Sequence, residues 1–186
     1  MLVAAASLLR ERGAAGVTVD AVLARSGAPR GSVYHHFPGG RSQILREALQ
    51  FAGDEITATL ERDTDVGAVA LLRQLAGLWR EALIESDFTT GSPVLAAAVG
   101  TGPDEKQLTS VAGDIFRRWR ESSREAFMRE GFDPDQATAL AHTTISALEG
   151  AVVLCRATRS AAPIDDVVRE IEFLIKARAF VARELR

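Results

Sequence analysis

The side chains best suited to chemistry in this sequence crowd into Arg30-Gly31-Ser32-Val33-Tyr34-His35-His36. Arg30, Ser32, Tyr34, His35 and His36 are polar groups that reach phosphate oxygens or base edges, whereas Val33 and Phe37, spaced i, i+4, pack inward. An arginine either reads a guanine or sits on a phosphate, and Gly31 keeps one turn slim enough for backbone to approach a duplex. The chemistry implied is recognition of double-stranded DNA. An ordinary surface helix would carry similar residues, so the elements around this stretch decide between the two.

Those elements are legible. Thr18 is placed to cap a helix from Val19 to about Ser26, with Val19, Val22 and Leu23 on one apolar face and Asp20 in the first turn, where the dipole favours an acid. Gly27 stops that helix, and Pro29 belongs in the first turn of the next. Two short helices joined by a tight Gly-containing turn make a helix-turn-helix. A helix from Leu2 to about Arg12, closed by Gly13, would brace the pair. After the break at Pro38-Gly39-Gly40, a fourth helix runs from about Arg41 to Glu61. Its first backbone N–H groups, with Arg41, form a candidate phosphate cradle.

Charge follows the same division. Residues 1–50 hold six arginines against three carboxylates, a surplus of three positive charges, while the whole 186-residue chain carries a net −3. A basic end facing an acidic remainder is the footprint expected when one end meets phosphate, although a solvated face could show it too. The content of 47% apolar and 25% charged residues is ordinary for a globular protein, no apolar run approaches the length of a membrane span, and the N-terminus lacks the zones of a secretory signal, so the cytoplasm is the expected compartment. A single cysteine, Cys155, excludes an internal disulfide and reads as a core or interface filler.

Catalytic and metal chemistry find little support. Adjacent His35 and His36 leave a helix in different directions, His142 is remote in sequence, and no Cys/His cluster, phosphate loop, nucleophile elbow or HExxH is present. Asp165-Asp166 sit at a helix start, where the dipole accounts for them. Neither a metal nor a cofactor is expected.

The run ERG (Glu11 to Gly13), then VTVDAVLARSGAPRGSVYHHF, then PGGRSQILREAL resembles the N-terminal domain of the TetR family of bacterial transcriptional regulators. The matching positions include Thr18, Gly27, Gly31, Tyr34, His36 and Phe37; the family's usual lysine after the aromatic residue is Gly40 here, with Arg41 following. Family members usually carry a short basic segment before the first helix, whereas Met1 directly precedes it in this chain. GSPVLAAAV (Gly91 to Val99), Trp119 to Glu121 and LEGAVVLCRATRSAAPID (Leu148 to Asp165) further resemble the LmrA/YxaF-like branch, which includes repressors of drug-resistance genes.

Beyond Arg62 the periodicity stays helical: a fifth helix near Val66 to Glu85, a short one opened by Ser92-Pro93 and closed by Gly100 to Gly102, a seventh from about Pro103 to Glu130, an eighth from Asp133-Pro134 to about Arg159, and a ninth near Pro163 to Arg183. The expected fold is all-α with about nine helices: a helix-turn-helix domain in residues 1–49 and a ligand-binding and dimerisation domain in residues 50–186. The resemblance implies a homodimer through the last two helices, a near-palindromic operator and a small-molecule effector that sets DNA affinity. It also implies phosphate contacts from Thr18, Tyr34 and Arg41, with Arg30, Ser32 and His35 nearest the bases. Trp79, Phe88, Phe116, Trp119 and Phe127, with His142, Thr143, Thr144 and Glu149, are candidates to line a moderately apolar effector site; each also reads as core or surface. A helical interaction module that ignores DNA and a small helical enzyme stay open at this level, the latter requiring turnover that depends on a residue such as Glu149 or His142.

Overall fold

The computed structural model describes residues 1–62, 67–100 and 105–184, and among these every regular element is helical. In order they are α1 (Leu2–Arg12), a single 3-10 turn (Ala14–Gly16), α2 (Val19–Ser26), α3 (Arg30–His36), α4 (Gly40–Arg62), α5 (Ala68–Glu85), α6 (Pro93–Val99), α7 (Glu105–Arg129), α8 (Pro134–Thr158) and α9 (Ala162–Glu184). The expected starts of the fifth and seventh helices at Val66 and Pro103, and the Thr101-Gly102 end of the sixth, lie outside the described residues.

The helix ends are set by local side chains. Thr18 accepts from the Ala21 N–H at 3.1 Å, Ser92 from Leu95 at 3.1 Å, and Asp133 from Asp135 and Gln136 at 3.0 and 2.9 Å. Gly27 ends α2 at φ 66°, a left-handed conformation that costs glycine little. Pro29 precedes the first turn of α3 as its N-cap rather than lying within it, with ψ 143°. At the far end of α5, Asp87 and Phe88 are both left-handed, at φ 52° and 59°, and Asp87 accepts from Arg159, itself left-handed at φ 51°, over 2.5 Å.

The chain forms two compact units, Met1–Glu55 with Thr90–Phe116, and Ile56–Thr89 with Arg117–Arg186. In the first, Leu8, Leu9, Val22, Val33, Phe37, Ile44, Leu45 and Leu49 make a core around the three short helices, joined by Val94 of α6 and by Leu108 and Ile115 of α7. In the second, α5, α8 and α9 pack through Leu72, Leu83, Leu140, Val152, Ile164 and Ile175, all nearly inaccessible. Trp119 is core there and donates its indole N–H to Thr57 Oγ1 at 3.1 Å. Cys155 is buried and unbridged, and burial pushes its thiol above the usual range, which makes it a filler and not a nucleophile.

One expectation is corrected. Helix α8 is long and apolar enough to cross a membrane by length and composition. Its small apolar residues serve the core on one side, through Ala141, Leu148 and Val152, while Val153 and Leu154 face outward on the other, and a helix apolar on both sides passes that test.

Candidate nucleic-acid interface and effector region

The helix-turn-helix is locked from behind and open in front. Val33 and Phe37 anchor α3 in the core, so the rest of its short length faces solvent: Arg30, Gly31, Tyr34, His35 and His36 are exposed, with the His35 and His36 rings edge-to-face at 5.1 Å. A Cβ at Gly31 would meet nothing within 4 Å, so close approach of a ligand's backbone is unobstructed there. Ser32 is half-buried and donates to the Pro29 carbonyl at 2.7 Å, which turns its hydroxyl toward the helix start. Thr18 is exposed; its oxygen caps α2, and its hydroxyl proton remains a donor of phosphate-binding type.

Arg41 takes a different place from the one expected. Its Nε donates to the Val17 carbonyl at 2.8 Å and its Nη2 to the Ala14 carbonyl at 2.7 Å, so the guanidinium ties α4 to the 3-10 turn instead of standing out toward phosphate. The backbone cradle at the start of α4 is partly used as well. Gly39 N–H donates to the Gln43 side chain and Gly40 N–H to the Phe37 carbonyl, each at 2.8 Å.

Ion pairs that sequence reasoning missed organise the same region. Arg25 grips Glu11 across α2 and α1, and Arg10 pairs with Glu55 of α4. Arg30 Nη2 lies 3.0 Å from Asp20 Oδ1, and both side chains are more than 70% exposed. Much of the arginine surplus at this end is therefore engaged within the unit. Spacing could not show it, because the partners lie on different helices.

In the second unit, α5, α7 and α8 border a small cleft with a cavity volume of about 10 Å³, with Leu71, Leu72 and Leu75 on one wall, Ser123 and Phe127 on another, and Thr144 from α8. Ligand pockets for drug-sized molecules measure about 300–1,000 Å³, whereas this cleft has room for about one water molecule as it stands. Thr144 is 96% buried, and its Oγ1 has no hydrogen-bond partner among the described residues. Of the residues nominated from sequence, Phe127 and Thr144 line this space. Trp79, Trp119 and Glu149 are buried without lining it, and Phe88 and Phe116 are half-buried. Thr143 and His142 are exposed, the Thr143 hydroxyl donating to the Ala139 carbonyl at 2.9 Å.

An all-helical chain that presents a braced helix-turn-helix with a polar, solvent-facing second helix has the build of a DNA-binding transcriptional regulator. The comparisons agree. The family model "Bacterial regulatory proteins, tetR family" matches residues 1–48, and "Transcriptional regulator LmrA/YxaF-like, C-terminal domain" matches residues 68–170. An uncharacterized HTH-type transcriptional regulator of Mycobacterium tuberculosis is 40% identical over 182 residues, 95% of this chain and 93% of its own length. The HTH-type transcriptional regulator LmrA of Bacillus subtilis is 25% identical over 95% of both chains. Among solved structures, a TetR transcriptional regulator from Legionella pneumophila shares the fold with a TM-score of 0.81 over 93% of this chain and 94% of its own, at 17% identity. The chain belongs to the TetR family of transcriptional regulators, in its LmrA/YxaF-like branch.

Proposed function

We propose that this regulator is a homodimeric repressor that occupies a near-palindromic operator and leaves it when a small, moderately apolar effector binds. In this reading residues 1–49 bind DNA, residues 50–186 bind the effector and the partner subunit, and the protein works in the cytoplasm without catalysing a reaction. The observation that carries it is the solvent-facing surface of α3, where Arg30, Tyr34, His35 and His36 stand out from a helix whose Val33 and Phe37 are fixed in the core.

Two recognition helices related by a two-fold axis enter successive major grooves; Thr18 and Tyr34 hold phosphates, and Arg30 and His35 face base edges. Ser32 and Arg41 contribute by fixing the frame, since their polar groups are engaged with backbone carbonyls. The effector enters between α5, α7 and α8. The buried hydroxyl of Thr144 supports that placement, because a desolvated polar group without a partner is costly and a ligand group would satisfy it. The space must widen to admit a ligand, and the effector shifts the protein only by its preference for the widened state. Dimerisation through α8 and α9 is supported by Val153, Leu154, Phe173, Phe180 and Val181, large apolar side chains all at least half exposed.

Fluorescence anisotropy tests this reading: the protein is titrated against DNA from just upstream of its own gene, beside a scrambled duplex of equal composition, at two salt concentrations. Tight, salt-sensitive preference for the upstream DNA, abolished by an apolar small molecule in a screen, is the expected result. Equal binding to both duplexes, and to every duplex selected from a random pool, would overturn it.

A further inference from the structure

Asp20 and Arg30 come from different helices of the helix-turn-helix, the first turn of α2 and the first residue of α3. They meet in the open, with Nη2 3.0 Å from Oδ1 and side-chain exposures of 77% for Arg30 and 74% for Asp20. The dipole of α2 accounts for an acid in its first turn, but not for its contact with the arginine that begins the recognition helix. A carboxylate on a surface that meets DNA repels the phosphates of every sequence alike, so its presence there must be offset by selectivity or tolerated as a loss.

Three of the other arginines in residues 1–50 are held for structural ends. Arg25 clamps α2 to α1 through Glu11, Arg41 joins α4 to the 3-10 turn, and Arg10 pairs with Glu55. The pair of Arg30 bridges α2 and α3 at the tip of the motif, where it is wholly open to a ligand. A guanidinium has two competing uses on DNA, a phosphate or the O6/N7 edge of guanine, and an untethered side chain takes whichever is nearer.

We propose that Asp20 is a positioning residue for base reading: it anchors one nitrogen of Arg30, keeps the guanidinium from settling on a phosphate, and leaves the remaining N–H donors to a guanine edge. The inference rests on α3 being the base-reading helix. Its consequence is that Asp20 lowers affinity for DNA at large and raises discrimination at one guanine.

The experiment takes a duplex selected from a randomised pool by the wild-type protein, and the set of its single-base-pair variants. Anisotropy titrations at two salt concentrations compare the wild type with Asp20→Asn, Asp20→Glu, Arg30→Ala and the Asp20→Asn/Arg30→Ala double variant. Arg30→Ala is expected to erase preference for guanine at one position of each half-site. Asp20→Asn is expected to reduce that preference by about three- to tenfold, to tighten binding to a scrambled duplex, and to steepen the logarithmic salt slope by about one. Asp20→Glu restores part of the preference. In the Arg30→Ala background, Asp20→Asn leaves the base profile unmoved, because Asp20 acts on base choice through Arg30; a base profile that still moves there overturns the positioning role. An Asp20→Asn protein that gains the same factor on every duplex with its guanine preference intact overturns the positioning role while leaving the DNA-reading conclusion standing. A wild type for which no duplex can be selected overturns both, and an Arg30→Ala protein with an unchanged base profile overturns the part given to Arg30.

Discussion

Arg25 holds the Glu11 carboxylate with both terminal nitrogens, Nη1 to Oε1 at 2.5 Å and Nη2 to Oε2 at 2.9 Å, and so fastens α2 to α1 behind the recognition helix. The hydrogen bonds from Arg25 hold the Glu11 carboxyl below its ordinary value of 4.5, against a smaller opposing effect of burial. A carboxylate with a lowered value in the folded state adds stability that is fully present above its unfolded value and is lost as pH falls through the folded one. Both side chains are about 30% exposed, so solvent screening limits the contribution. Glu11→Gln should cost about 0.5–1 kcal/mol in urea denaturation at neutral pH. The gap from wild type should close as the pH drops below about 4.5, the ordinary carboxyl value from which Glu11 is lowered. A gap that stays constant through that range would assign the loss to packing.

Arg41 offers a sharper choice between roles. Its hydrogen bonds to Val17 and Ala14 predict that Arg41→Ala destabilises the fold by about 1.5–3 kcal/mol, the range for bonds made by charged groups. Arg41→Lys should recover little of this, because an ammonium cannot reproduce the planar fork that reaches both carbonyls. Urea denaturation measures the loss. A residue working on phosphate would instead leave stability unchanged and make the salt dependence of DNA binding shallower by about one power.

What could be read in advance divides at the boundary between local and tertiary structure. The caps at Thr18, Ser92 and Asp133 and the turn at Gly27 depend on residues within four positions, so composition and spacing revealed them and the helices they delimit. The pairs Arg25–Glu11 and Arg30–Asp20 and the inward turn of Arg41 depend on how helices cross, which one sequence without partners does not encode in any spacing. The neighbours Thr143 and Thr144 show the limit well. They are the same residue type one position apart, yet a rotation of about 100° per residue puts Thr143 on the surface and Thr144 against the cleft between α5, α7 and α8. Phe127 was within reach because aromatic residues on a long amphipathic helix turn inward, whereas its position against α5 was not.

Gly53 is a packing requirement that composition hides. A Cβ built there would lie 2.7 Å from Cδ1 of Ile115 and 2.9 Å from both Cγ1 and Cγ2, where α7 passes over α4. Alanine normally gains about 1 kcal/mol over glycine inside a helix. Here the β-branched Ile115 cannot turn all three atoms aside, so Gly53→Ala is expected to lose about 1–2 kcal/mol net through overpacking. Pairing it with Ile115→Ala should remove the clash, and the double variant should be more stable than the sum of the two single losses predicts. Chemical denaturation of the four proteins gives the coupling directly. A Gly53→Ala protein more stable than wild type would show that α7 moves away at no cost.

Phe173 and Phe180 are seven residues apart on α9 and are 70% and 64% exposed, which places two aromatic rings one above the other on a face the subunit leaves uncovered. In a two-fold interface each substitution acts twice, once from each copy. Phe173→Asp removes about 1.5–3 kcal/mol of apolar burial per subunit and brings two carboxylates together, so dimer affinity should fall by at least about a hundredfold. Val99→Asp, on α6 and 68% exposed, serves as the control, because single apolar side chains on a surface need no partner. Sedimentation velocity over a dilution series should show monomer for Phe173→Asp at concentrations where wild type and Val99→Asp remain dimers. Operator binding should then require protein concentrations set by assembly on the DNA, with each half-site filled independently. A Phe173→Asp protein that sediments as wild type would move the subunit interface off this face of α9.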